Sequence, residues 1–339
     1  VKAPAFWYRP PGLAAALLGP LGALYAAGAR RRLAGTAPQG VGIPVVCIGN
    51  LVAGGAGKTP LAQAVMRRLL VRGIRAHYLS RGYGGRLRGP VQVNPAAHVA
   101  ADVGDEPLLL SRSAPAWISA DRLAGARTAR DGGAQAVVMD DGFQNPALAK
   151  DLSLLVVDGG AGFGNGRVIP AGPLREELAD GLARAHGVVI VGADRTGAGA
   201  RAAGLAPAVP VLAARLVPDA DVAATLAGRT VLAFAGIGRP QKFFDTCRDM
   251  GLSLARGVPF PDHHPYTESE IGRLLDQAAD LGATPLTTEK DWVRLPPAVQ
   301  ARVTALPVVL TFQDDGALDA LLDRVTRDIP RDTSRDTDG

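Results

Sequence analysis

The chain has only two cysteines, Cys47 and Cys247, in 339 residues. They lie far apart, each inside an apolar-periodic segment. This excludes a disulfide framework and any cysteine-based metal spacing, and it points to a reducing compartment. Aromatic residues are scarce at 5% beside abundant Ala, Gly and Arg, a compositional bias with no functional content. Acidic residues are absent before Asp102, whereas thirteen Lys and Arg fall in that stretch; the remainder holds 24 basic and 32 acidic residues. A basic front end on a weakly acidic body suggests an anionic partner, either a membrane or a nucleic acid. Charge is also missing from residues 13 to 29, where Leu13, Leu17, Leu21, Leu24 and Tyr25 recur near helical spacing.

That uncharged run is followed, not preceded, by Arg30, Arg31 and Arg32, which argues against a cleaved signal peptide. It is shorter than the roughly 20 apolar residues of a spanning helix, and Gly19, Pro20 and Gly22 are expected to break it. With "FWYRPP" ahead and arginines behind, it reads as an interfacial helix with an aromatic belt and a basic flank. The alternative is an Ala-rich helix packed on the protein's own core.

The length suggests two domains, and 47% hydrophobic residues can bury a large core. "GIPVVCIGN", "RAHYLSRG", "AQAVVMDDG", "LSLLVVDGG" and "HGVVIVGAD" are nearly continuous apolar runs, as expected of parallel strands covered on both faces. The fold class expected is α/β: a doubly wound, mainly parallel sheet with a second, smaller α/β domain. The boundaries are 1–35 for the membrane-interface helix, 36–210 for the first domain and 211–228 for a linker. The smaller domain spans 229–329 and a polar tail 330–339.

"GNLVAGGAGKTP" at 49–60 is close to a phosphate-binding loop, but Val52 stands where the pattern has its first glycine. That glycine mainly eases the turn out of the strand. The backbone N–H groups of Gly54, Gly55, Ala56 and Gly57, the ammonium of Lys58 and the hydroxyl of Thr59 remain in order between a strand and a helix. A nucleotide-phosphate cradle follows. Ala53 stands where partitioning-type dimeric ATPases carry an extra lysine, which argues against that class.

"VVMDDGFQ" puts Asp140 and Asp141 at the end of an apolar strand, where an acid can hold Mg²⁺ beside a phosphate loop; a tight turn is the competing use. Asp105 and Glu106 of "VGDEP" precede a helix and could be no more than acidic N-terminal residues favoured by its dipole. His263 and His264 could bind metal, but no second ligand cluster stands nearby. Arg81, Arg86 and Arg88 sit on a Gly-rich loop that could hold an anion or be solvated. "GIGRP" at 236–240 lacks the third glycine of a dinucleotide turn.

Taken in order, "GGAGKTP", "LSRGYGG", "GDEP", "DDGFQ", "PAGPLRE", "FPDHH" and "TTEKD" resemble the tetraacyldisaccharide 4′-kinases of lipid A biosynthesis. "FWYRP" is similar too, so the resemblance runs from about residue 6 to residue 312. It implies a P-loop kinase that moves the γ-phosphate of ATP to the 4′-hydroxyl of a tetraacylated disaccharide 1-phosphate. The place implied is the cytoplasmic face of a Gram-negative inner membrane, with the enzyme peripheral or monotopic. No nucleic acid or obligate protein partner is implied.

The resemblance also implies roles. Lys58 and Thr59 serve ATP and Mg²⁺, with Glu106, Asp140 and Asp141 on the metal side. Asp105 is the catalytic base, and His263, from the second domain, supports it. Gln144 belongs to the nucleotide, and Arg81, Tyr83, Arg122, Arg175 and Glu176 to the acceptor side. Val52 departs from the polar residue usual at its position. Competing classes are a P-loop kinase of another amphipathic acceptor and a nucleotide-gated switch or metallochaperone. No evident N-K-x-D guanine motif supports the switch.

Overall fold

A computed structural model describes residues 3–329; the polar tail read over 330–339 lies outside the described residues. In chain order the strands are β1 (Val45–Gly49), β2 (Ala76–Ser80), β3 (Val91–Gln92), β4 (Ala116–Ile118), β5 (Ala136–Asp140), β6 (Leu152–Asp158) and β7 (Gly187–Val191). They are followed by β8 (Val211–Pro218), β9 (Thr230–Ala235), β10 (Ser253–Pro259), β11 (Thr284–Thr288), β12 (Thr304–Leu306) and β13 (Val308–Phe312). The larger sheet has the order β13-β8-β7-β6-β1-β5-β2-β4-β3, and the smaller one β10-β9-β11-β12. Pairing is parallel except for β3 with β4 and β8 with β13.

Every residue of β1, β2, β5 and β7 is buried. Helices cover both faces, so these runs need no polar alternation. Ile48 of β1 lies level with Asp140 of β5, so the turn after β1 and the acid closing β5 emerge side by side. In such sheets, ligands bind beyond the carboxyl ends of the strands.

Two expectations are corrected here. Residues 211–218 are not linker but β8, a strand of the larger sheet, paired with β7 on one side and β13 on the other. Only alternate side chains along the first half of β8 are buried, so its apolar signal is half that of the central strands. The second correction concerns the C-terminus: β13 and the helix Asp315–Thr326 return to the larger sheet rather than completing the smaller domain. Periodicity identifies a strand but not the sheet it joins. The returning helix is fastened to helix α2 (Lys58–Val71), where Arg68 pairs with Asp315 and Asp319 and Arg72 with Asp319 and Asp323.

The N-terminal run forms helix α1 (Leu13–Ala34), unbroken through Gly19, Pro20 and Gly22. An interior proline costs about 3 kcal/mol, yet the Ala and Leu on either side are strong helix formers and carry the helix through. Its 22 residues are long and apolar enough to cross a membrane by length and composition alone. It touches the body through small residues: only Ala15, Gly22 and Ala26 are buried. A side chain on Gly22 would meet the Val168 carbonyl oxygen at 2.9 Å. Leu13, Leu17, Leu21, Leu24 and Tyr25 face away, with Leu13 84% and Leu17 78% exposed.

Candidate active site

The loop between β1 and α2 is shaped by Asn50, whose Nδ2 donates to the carbonyls of Val52 at 2.6 Å and Gly54 at 3.0 Å. Gly54 and Gly57 have φ of +121° and +96°, a region that side chains disfavour, and α2 starts at Lys58 directly after. The loop's free N–H groups and the helix N-terminus thus make an anion-binding cradle. Val52 forms an antiparallel bridge with Leu174, and Ala53 N donates to the Pro173 carbonyl at 2.8 Å. Residue 52 therefore ties the loop to the "PAGPLRE" segment through its backbone, and its side chain packs against the core.

Beside the cradle, Lys58 Nζ lies 3.8 Å and Arg175 Nη1 3.0 Å from Asp141 Oδ1. Gln144 Nε2 donates to the Asn50 carbonyl at 3.0 Å and to Glu176 Oε1 at 3.1 Å. Glu176 is buried and also paired with Arg184, so it points behind the loop rather than into the opening. Asp141 holds a φ of 51°, which short polar side chains tolerate better than most.

Asp140, 1% exposed, has no hydrogen-bond partner on either carboxylate oxygen. Burial pushes its carboxyl up to about 7, the nearby Glu106 charge adds to this, and Lys58 opposes it. A buried carboxylate without a donor is costly unless something cationic meets it. Among the described residues, no three His, Cys, Asp or Glu side chains cluster as a metal cage. Mg²⁺ beside a nucleotide needs none, because it takes one or two carboxylates with phosphate oxygens and water. The donor set fits that ion.

Across the opening, two glycine-bearing loops interlock. A Cβ on Gly104 would come 2.6 Å from the Tyr83 carbonyl oxygen, and one on Gly85 within 2.6 Å of the Asp102 carbonyl oxygen. This contact sets the start of the helix Asp105–Leu110. Asp105 is buried; its Oδ1 accepts from Glu106 N at 2.9 Å and its Oδ2 lies 2.9 Å from His263 Nδ1. His263 comes from the loop after β10 and has a φ of 57°. Burial alone would raise the Asp105 carboxyl; the His263 hydrogen bond and the charges of Lys290, His263 and Arg294 outweigh it and hold the group below its ordinary value. The same hydrogen bond holds His263 above its ordinary value, against burial and the charge of Lys290.

The two histidines diverge: His264 Nε2 pairs with Glu270 at 3.1 Å, so they do not form a metal site together. Tyr83 is exposed and sets its ring edge to His263, with centroids 6.3 Å apart. The Arg122 guanidinium is pushed down to about 10 by burial and then by the charge of Arg81. Its Nη1 donates to the Ser119 and Ala120 carbonyls, while Nε has no partner.

Sequence reasoning overlooked Lys290 and Arg294. Lys290 Nζ lies 3.0 Å from Glu106 Oε1 and 4.0 Å from Asp105 Oδ2; Arg294 Nε lies 3.4 Å from that same Oδ2. Lys290 lies on a one-turn helix (Glu289–Trp292) and Arg294 in the turn after it, where basic residues read as solvated. The available signal was two basic residues four apart directly after a strand whose carboxyl end opens to the cleft. A second contact spans the opening where Asp158, closing β6, pairs with Arg239 at 2.8 Å and Lys242 at 2.7 Å.

A family model described as Tetraacyldisaccharide-1-P 4′-kinase matches residues 14–327. A tetraacyldisaccharide 4′-kinase of Rhodospirillum centenum is 59% identical over 326 residues, covering 95% of this chain and 96% of the relative. One of Rhodospirillum rubrum is 55% identical, covering 96% and 98%. Among solved structures, LpxK from Aquifex aeolicus in complex with ATP superposes with a TM-score of 0.72 at 25% identity. That match covers 92% of this chain and 99% of the other.

Proposed function

From the premise that the chain belongs to the tetraacyldisaccharide 4′-kinase family, we propose how its cleft performs the transfer. The enzyme phosphorylates the 4′-hydroxyl of tetraacyldisaccharide 1-phosphate in lipid A biosynthesis, with ATP as donor. The observation that carries the mechanism is the buried Asp105 carboxylate, held by His263 in the cleft that the phosphate cradle opens into.

The amides of Gly54 to Thr59 and the Lys58 ammonium receive the donor phosphates. Asp140, whose oxygens have no partner, and the Thr59 hydroxyl are the groups that would hold Mg²⁺, which when bound would spread the negative charge of the phosphate oxygens. Asp141 and Glu106, paired to Arg175 and Lys290, border that place. Arg175 fixes Asp141 at this edge, and Gln144 braces the turn through Asn50. Asp105 accepts the proton of the sugar hydroxyl as its oxygen bonds to the γ-phosphorus and the β–γ bridging oxygen leaves with ADP. Held below its ordinary pKa, the carboxylate is ionised at neutral pH, and Oδ1 keeps a lone pair for this proton. His263 holds Oδ2, so the carboxylate cannot rotate away. A positioned base contributes about 10²- to 10⁴-fold; alignment and charge stabilisation supply most of the remainder.

Arg81, Tyr83 and Arg122 border the acceptor side. The outward leucines of α1 seat the enzyme on the cytoplasmic face of the inner membrane. Acyl chains then stay in lipid while the sugars enter the cleft. Anionic lipid adds about 1 kcal/mol per nearby Lys or Arg, as at Arg31 and Arg32, whereas Arg30 pairs with Asp180 of the body at 2.9 Å.

The test is transfer from labelled ATP to the disaccharide 1-phosphate presented in vesicles. One added phosphate on the lipid, dependent on enzyme and acceptor, is the expected result. ATP turnover that ignores the acceptor and leaves the lipid unlabelled contradicts the reading.

A further inference from the structure

We propose that Arg294 is a positioning residue of this reaction, tying together the three loops of the smaller sheet that present His263 and Lys290 to Asp105. The inference rests on the reading of Asp105 as base and His263 as its support.

Arg294 is only 5% exposed at its side chain. Its Nε donates to the Lys290 carbonyl at 3.0 Å, Nη1 to the His264 carbonyl at 3.3 Å, and Nη2 to the Gly236 carbonyl at 2.9 Å. Those carbonyls follow β11, β10 and β9, whose carboxyl ends reach the cleft. One guanidinium therefore fixes all three turns at once. The Gly236 carbonyl also accepts from the His263 backbone N–H at 3.0 Å, so Arg294 is one shared atom away from the base's partner.

The fork is itself held. Asp291, fully buried, accepts from Arg294 Nη2 at 2.9 Å, Gly236 N at 2.8 Å and Tyr266 Oη at 2.7 Å through Oδ1, and from Thr288 Oγ1 at 2.6 Å through Oδ2. The Tyr266 ring lies 5.8 Å from the guanidinium carbon. A planar fork with five donors in fixed directions can satisfy carbonyls on three loops and a carboxylate together. An ammonium has three donors around one point and cannot span them. Removing one leg is expected to loosen the placement of His263 relative to Asp105, and misplacement of about 1 Å costs up to about 10²-fold in rate.

The experiment compares purified full-length wild type, Arg294→Lys, His263→Ala, the double variant, Tyr266→Phe and Asp105→Asn. Arg294→Lys is expected to lower kcat about 10- to 100-fold while KM for ATP and for the lipid stays within about threefold. Arg294 also touches the base directly, with Nε 3.4 Å from Asp105 Oδ2, so only the part of its effect that runs through His263 vanishes in the double variant. The loss there is expected to fall clearly short of the product of the two single losses. Arg294→Lys with kcat within about twofold of wild type, or losses that multiply in full, overturns the proposal. If Arg294→Lys fails to fold by circular dichroism, Tyr266→Phe decides. A fall in kcat of about threefold or more at constant KM supports the role, and an unchanged kcat overturns it. Failure of the underlying reading looks different: Asp105→Asn would then transfer phosphate at the wild-type rate.

Discussion

Asp105 Oδ2 and His263 Nδ1 lie 2.9 Å apart across the cleft, although 158 residues separate them in the chain. The first begins a helix on the larger sheet, and the second sits in the loop that follows β10 of the smaller one. In the proposed mechanism the base is therefore complete only when both units meet, and acceptor activation depends on that meeting. His263→Ala should lower kcat about 10²-fold with KM for ATP little changed, since the cradle lies wholly on the larger sheet. Steady-state kinetics with ATP as varied substrate checks this. A matching rise in KM at constant kcat would assign His263 to nucleotide binding instead.

The same pair has a signed dependence on pH. A histidine raised by folding contributes stability that is fully present below its unfolded value of about 6.5 and is lost as pH rises through the folded value. A carboxylate lowered by folding contributes above about 3.9 and loses that contribution as pH falls through its folded value. Both directions hold here, so the pair contributes most between those limits. The melting-temperature gap between wild type and His263→Gln should narrow steadily from pH 6 towards pH 9. A gap independent of pH would mean that the hydrogen bond carries no charge.

Asp140 is charged chemistry without a protein partner. Asp140→Asn removes a desolvated charge, so the ligand-free variant should melt no lower than wild type. Its response to ligand should be poorer: ATP with Mg²⁺ raises the wild-type melting temperature, and the variant should lose most of that rise together with transfer. An equal rise in both proteins would place the metal elsewhere.

The proposed membrane seat uses one face of helix α1 and the packing on the body uses the other. Leu17→Glu with Leu24→Glu should abolish most vesicle flotation while leaving the melting temperature unchanged, because both side chains are exposed. Gly22→Leu should do the reverse, since its side chain would strike the Val168 carbonyl. Loss of flotation in the glycine variant alone would mean that the helix binds lipid through its packed face.

The central strands were legible because β1, β2, β5 and β7 are buried along their whole length and read as unbroken apolar runs. Asp140 and Asp141 close such a run and Lys58 follows another in a glycine-rich turn, so these three stand out in the sequence. Asp105 is singled out only by the family resemblance, since its own surroundings read equally as an acidic helix start. The half-exposed β8 looked like a linker, and nothing local in "VVLTF" says that β13 pairs with β8 rather than β12. Arg294 escaped notice because its value lies in four partners scattered over three loops. Val52 misled in the other direction. It departs from the pattern at that position, yet the residue acts through a backbone bridge to Leu174, which any L-amino acid can make.

The most direct test of the account is Asp105→Ala, assayed for phosphate transfer to the lipid and for ATP affinity on the same preparation. The account predicts a loss of transfer of at least about 10²-fold with ATP affinity within about threefold of wild type. ATP binding that collapses while the rate with saturating donor is unchanged would contradict it.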